Sequence, residues 1–196
     1  MPKFDIGFNS QRDNENFNGK FPGYVQCFST SVWMLMSYYS LQIDALNDKQ
    51  LAKYVDDVEA SVGSIPALAE ELKKKDPSVT GKTSLLWMVQ KAGLQLWFDN
   101  LKVQGKAVCK LSASFFEIKT LLKDRPVVIG TSKMGGLPGG HIILGIGYDD
   151  IHTVCHDPYG DARTKYKEYR GASTYYEDKF LEKYFSGRIL YWEKVI

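Results

Sequence analysis

Three residues in this chain are of the types that carry out nucleophilic catalysis. Cys27 stands at the mouth of an apolar helix, His141 follows a glycine pair at the start of a long apolar strand, and Asp157 ends the next strand. A thiol in the first turn of a helix feels the partial positive charge of the helix N-terminus, which favours the reactive thiolate. An imidazole within reach takes the thiol proton and returns it to a leaving amine, while a carboxylate sets the ring's tautomer and orientation. Two glutamines are placed to donate to a developing oxyanion beside the Cys27 backbone N–H: Gln26, next to the thiol, and Gln11, within Ser10-Gln11-Arg12-Asp13-Asn14. Each residue also has a structural reading, as a small buried hydrophobe, a satisfied strand histidine or a solvated amide. The elements around them decide between the two.

Pro22-Gly23 breaks the chain ahead of the thiol, and Phe28, Val32, Leu35, Met36 and Tyr39 then recur at helical spacing. Trp33, Met34 and Tyr38 occupy the other faces, so this helix is apolar nearly all round and belongs in the middle of the molecule. Residues 1–24 read as a polar, turn-rich arm. Asn47 with Gln50 opens a helix through Leu51, Tyr54, Val55 and Val58; Ser64-Ile65-Pro66 opens another that runs to Lys75; and Thr83 or Ser84 opens a fourth that Gly93 closes.

Strand formers then take over in Leu94–Phe98 and Ala107–Leu111. Ser114 and Glu117 make a capping box ahead of Phe115, Ile118, Leu121 and Leu122. Strands resume at 126–130 and in the runs His141–Tyr148 and His152–Asp157, which Asp149-Asp150 joins as a hairpin. Residues 160–173 read as a mobile basic loop, followed by a short helix over Phe180–Tyr184 and a last strand, Arg188–Glu193. The order predicts an α+β fold in one domain spanning 1–196, a helical half carrying the nucleophile on a central helix against a C-terminal antiparallel sheet. A turn centred on Asp149 sets His141 directly across from Asp157, where Cβ atoms lie roughly 4.5 to 5.5 Å apart.

Composition excludes several classes. The chain of 196 residues is 44% hydrophobic and 13% aromatic, which suits a folded core rather than disorder. A net charge of +2 and a pI near 8.3 are too mild for a nucleic-acid partner. No segment reaches the roughly 20 apolar residues of a membrane span, and Met1-Pro2-Lys3-Phe4-Asp5 lacks a signal peptide's plan, so synthesis in the cytoplasm is expected. Cys27, Cys109 and Cys155 are odd in number and widely spaced, which predicts free thiols. His152 and His156 share one strand face while Cys155 points to the other, so no metal is expected, and no cofactor.

In order, Ser10-Gln11-Arg12-Asp13-Asn14, a proline before Cys27, Thr30-Ser31 with Tyr38-Tyr39, Gly140-His141 leading to Gly147-Tyr148, and Asp157-Pro158-Tyr159-Gly160 resemble the bacteriocin-processing-like cysteine peptidase family of the papain-like superfamily. The resemblance runs from about residue 6 to 193. It implies a papain-like fold with Cys27 as nucleophile, His141 as base and Asp157 as its orienting partner, and it favours Gln11 over Gln26 for the oxyanion. The family's common Cys-Gly-Pro or Cys-Asn-Val is Cys27-Phe28-Ser29 here, a change at the lip of the cleft.

The expected activity is a monomeric cysteine hydrolase of amide bonds. A compact basic domain without a signal peptide leans toward bacterial cell wall, as a peptidoglycan peptidase or amidase of the phage endolysin kind that acts at the wall after release. The alternatives are a leader-peptide or general protein-processing peptidase and, in another class, a catalytically silent papain-like binding or structural protein. Hydrolysis and acyl transfer use the same triad and differ only in the acyl acceptor.

Overall fold

A computed structural model describes residues 3–14, 26–39, 74, 77 and 81–194 of the chain. The helices expected over 51–58 and 64–75 lie outside these residues, Lys74 aside. The apolar helix is present as α1, Cys27–Tyr39, and it starts at the thiol. The Gln26 carbonyl accepts its first bond from the Thr30 N–H at 2.9 Å. Every side chain from Thr30 to Met36 is buried, as an all-round apolar pattern requires.

The second described helix, α2 (Gly81–Asn100), corrects the sequence reading. It does not stop at Gly93 but continues through Leu94–Phe98, which had the composition of a strand. Trp87, Gln90, Leu94 and Phe98 are buried at spacings of a helical face, with Trp97 beside them. A mid-helix glycine costs about 1 kcal/mol relative to alanine, whereas each buried Leu, Phe or Trp side chain contributes about 1.5 to 3 kcal/mol. Packing therefore outweighs propensity.

Next come β1 (Lys106–Lys110) and α3 (Phe115–Leu121), which carries the expected capping box. The Ser114 side chain accepts from the Glu117 N–H, and the Glu117 carboxylate accepts from the Ser114 N–H at 2.7 Å. The remaining elements are β2 (Val127–Ser132), β3 (Gly140–Tyr148), β4 (His152–His156), β5 (Thr174–Glu177), α4 (Asp178–Tyr184) and β6 (Phe185–Glu193). The six strands form one antiparallel sheet in the order β1-β6-β2-β3-β4-β5.

The sheet is covered on both faces, which explains the unbroken apolar run of β3. Ile142, Leu144 and Ile146 join α1 and α2 in one core, whereas Ile143 alternates to a second core with Ile118 of α3 and Leu181 of α4. The arm lies over this structure at the β3 edge of the first core. Lys3 bridges to Gly147, the Phe4 N–H donates to the Ile146 carbonyl at 2.7 Å, and Ile6 is buried.

Two further expectations change. The β3–β4 hairpin is shifted by two residues: Leu144, not Ile142, lies opposite His156, and a bulge falls between Gly145 and Gly147. Residues 160–173 keep their basic side chains Arg163, Lys165, Lys167 and Arg170 exposed, but the segment is anchored, since Asp161, Ala162, Tyr166 and Gly171 are buried and a short 3-10 turn spans Ala162–Thr164. The sequence reading also missed β5, whose four residues alternate between buried and exposed. That signal is too short to stand out in a polar stretch.

Candidate active site

Cys27 is half-buried at the first position of α1, and that helix is anchored by Val32, Leu35 and Met36, none of which retains exposed surface. His141 stands at the start of β3 and is buried. Its position is set by β2: Thr131 pairs with it in the ladder, and the Thr131 hydroxyl donates to the His141 carbonyl at 3.0 Å. Asp157 follows the last residue of β4 and is wholly buried. A two-residue shift keeps side chains on the same face. His141 and Asp157 therefore meet diagonally rather than directly, with Nε2 and Oδ1 2.7 Å apart.

The carboxylate is held by more than the imidazole. Oδ1 also accepts from the Tyr159 N–H at 3.0 Å, and Oδ2 accepts from the Tyr176 hydroxyl at 2.8 Å. Burying a carboxylate costs several kcal/mol. Three hydrogen bonds to a charged acceptor, at about 1.5 to 3 kcal/mol each, are of the size needed to offset that cost. Because Asp157 accepts on both oxygens, His141 donates through Nε2 and presents Nδ1 on its other side.

That other side meets the thiol. Burial works against a charged imidazole, but the Asp157 charge and hydrogen bond, together with a hydrogen bond to Cys27, outweigh it and push the His141 pKa up to about 10. The structure thus brings Cys27, His141 and Asp157 into one connected set from α1, β3 and the end of β4. Such a set can take a proton from sulfur onto imidazole and hold the resulting cation against a buried anion.

Both glutamines are buried. Gln26 is tied to the arm: its amide oxygen accepts from the Asn14 side chain at 2.9 Å, and the same Asn14 nitrogen donates to the Thr30 hydroxyl at 3.0 Å. Gln11 is placed from the other direction, its N–H donating to the Pro158 carbonyl at 2.9 Å, one residue past Asp157. Arg12 clamps that contact. Its guanidinium lies 3.9 Å from the Tyr159 ring centroid and 4.1 Å from that of Tyr169, and it donates to the Tyr166 carbonyl at 3.2 Å.

Tyr159 and Tyr166 pack edge-on around the His141 ring, at 6.1 and 5.7 Å between centroids. Arg12 and Tyr159 stand inside the motifs noted in the sequence but carry no assigned role there, and Tyr166, Tyr169 and Tyr176 are not singled out by the sequence at all. All but Arg12 belong to the Asp157–Glu177 stretch, much of which read as a loop. A cavity of about 460 Å³ lined by Phe8, Ser10, Arg12, Asp13, Tyr169 and Arg170 lies along the arm, and none of its lining residues is Cys27, His141 or Asp157.

The other histidines are engaged elsewhere. The Asp149 carboxylate pairs with His152 at 3.0 Å, while His156 donates to the Ile6 carbonyl at 2.8 Å and accepts from the Ser173 N–H at 3.0 Å. Among the described residues no group of three His, Cys, Asp or Glu side chains is placed to hold a metal ion, and no helix is long and apolar enough to cross a membrane. The three cysteines are free thiols.

Comparison with known proteins adds four findings. The family model described as Peptidase C39 like family matches residues 4–186. The chain is similar in fold to a crystallised double glycine motif protease from an AMS/PCAT transporter, solved in complex with the leader peptide, at a TM-score of 0.52 and 10% identity over 100% of this chain and 96% of that one. It is also similar to a Bacillus anthracis protein described as a C39-like peptidase, at a TM-score of 0.58 and 15% identity over 97% of this chain and 96% of the other. No curated protein matches the sequence.

Proposed function

Because the chain belongs to the Peptidase C39-like family and is a papain-like cysteine peptidase, we propose that it cleaves peptide bonds with Cys27 as nucleophile, His141 as base and acid, and Asp157 as the orienting carboxylate. The observation that carries this reading is the continuous contact from thiol to imidazole to carboxylate, with His141 held toward its charged form between the two. The thiolate adds to the scissile carbonyl carbon. His141 gives its proton to the departing amine, and water activated by the same ring then releases the acyl group from sulfur. The Cys27 N–H and the Gln11 side chain are the proposed oxyanion donors. Gln11 is preferred over Gln26 because its backbone is bonded to the Pro158 carbonyl, one residue past Asp157, whereas the Gln26 side chain is bonded to Asn14 at the foot of α1.

Among substrates, a protein or leader-type peptide is favoured over peptidoglycan. One of the proteins that share this fold is a double glycine motif protease solved in complex with the leader peptide, whereas the cell-wall or endolysin reading draws only on compactness and a mildly basic charge. The test incubates purified protein and its Cys27→Ala variant with a peptide library that includes double-glycine leaders and, separately, with bacterial peptidoglycan, followed by mass spectrometry. Cleavage of peptides that depends on Cys27 is expected. Fragments released only from peptidoglycan would replace the substrate, and cleavage that survives Cys27→Ala would overturn the nucleophile.

A further inference from the structure

We propose that Tyr176 is a positioning residue for this hydrolysis: its hydroxyl holds Asp157 as an oriented carboxylate and thereby decides which nitrogen of His141 faces the thiol. The inference rests on the triad reading above and extends it to a residue on β5.

The hydrogens around the Tyr176 oxygen fix the direction of its bonds. The Tyr176 oxygen accepts from the Ala162 N–H at 3.0 Å. A phenol has one hydrogen, and its remaining close partner is Asp157 Oδ2 at 2.8 Å, so that hydrogen goes to the carboxylate. Oδ1 is likewise occupied by the Tyr159 N–H and His141 Nε2. Asp157 therefore acts as an acceptor on both oxygens, Nε2 carries its proton, and Nδ1 is left for sulfur. Burial first, and the Asp157 charge second, keep the Tyr176 phenol from ionising, so it stays a donor.

Nothing about the ring itself requires the hydroxyl. Tyr176 is completely buried and stacks on Phe180 with centroids 5.5 Å apart and planes 15° from parallel. A phenylalanine keeps that stack and removes only the oxygen. It would strand the Ala162 N–H and leave Oδ2 without its donor, and the carboxylate would be freer to turn.

The test compares Tyr176→Phe with the parent on a peptide that the parent cleaves. A hydrogen bond to a charged group predicts a kcat loss of about 10-fold or more with KM little changed. In an Asp157→Ala background the same change should cost less than about 3-fold, since its target is gone. Parental kcat, or an undiminished loss in the Asp157→Ala background, would overturn the proposal. If Tyr176→Phe does not fold, NMR of the parent with labelled tyrosine decides. A Tyr176 hydroxyl proton in slow exchange supports the bond, and exchange at the rate of an exposed phenol refutes it. Activity that survives Cys27→Ala would instead fail the triad reading, so the two failures are distinguishable.

Discussion

His141 and Asp157 are joined by a 2.7 Å contact between Nε2 and Oδ1, although the strand register places them diagonally rather than opposite one another. The contact survives because the shift is two residues, an even number, so both side chains stay on one face of the sheet. A shift of one would have turned the carboxylate to the other face. The proposed function depends on this pair, and the following outcomes test it.

The three triad positions should not be equivalent. Cys27→Ala and His141→Ala remove reacting groups and are expected to lower kcat/KM by roughly 10⁴-fold or more, while Asp157→Asn disturbs orientation and tautomer and should cost less. Steady-state kinetics on one peptide, with thermal unfolding to show that the folds are intact, provides the ranking. An Asp157→Asn loss as large as that of Cys27→Ala would contradict it.

Stability should fall on the alkaline side. The His141 pKa is raised from 6.5 to about 10, against burial, by the Asp157 charge and hydrogen bond and by the bond to Cys27. Between those values the folded protein holds a proton that the unfolded chain has released. This contribution is therefore complete below about pH 6.5 and is lost as the pH rises through about 10. Tm measured across that window is expected to drop, and His141→Gln should flatten the slope. Equal slopes in the two proteins would refute the assignment.

Gly171 should tolerate no side chain. A Cβ there would collide with the Asp157 carbonyl oxygen and lie 2.8 Å from that of Gly160, in a turn where the Asp157 N–H donates to the Gly171 carbonyl at 2.9 Å. Gly171→Ala is expected to destabilise the protein by about 1 to 3 kcal/mol, as overpacking does. It should also lower kcat by moving the backbone that carries the carboxylate. Denaturant unfolding paired with kinetics measures both, and a variant of parental stability would show that the turn yields easily.

Arg12 should act through the arm. Sandwiched between Tyr159 and Tyr169 and bonded to the Tyr166 carbonyl, it pins the residue after Gln11 to the segment after Asp157. Arg12→Ala removes two cation–π contacts, about 1 to 2 kcal/mol together, and should reduce kcat by loosening Gln11. Arg12→Lys should rescue it only in part, because an ammonium cannot stack as a plane between two rings. Unchanged kcat in Arg12→Ala would separate the clamp from the oxyanion site.

What the sequence alone determined follows from short-range physics. The all-round apolar pattern after Cys27 can only be a buried helix, Ser114 and Glu117 satisfy each other's backbone within one turn, and two apolar runs across Asp149-Asp150 must pair. The α+β order and the elements carrying the thiol, imidazole and carboxylate came from such signals. Only tertiary structure decided the rest. Leu94–Phe98 is helical because α1 and the sheet offer Leu94 and Phe98 a core, which outweighs local strand preference and Gly93. The turn closes between Asp149 and His152 rather than on Asp149, which displaces the register by three residues, and the bulge between Gly145 and Gly147 returns one, leaving a net slide of two. Tyr176 and Arg12 reach the site across 19 and 154 residues of chain, by the Tyr176 bond to Asp157 and the Arg12 bond to Tyr166. No local pattern encodes such a contact, since its partners become neighbours only after the sheet has formed.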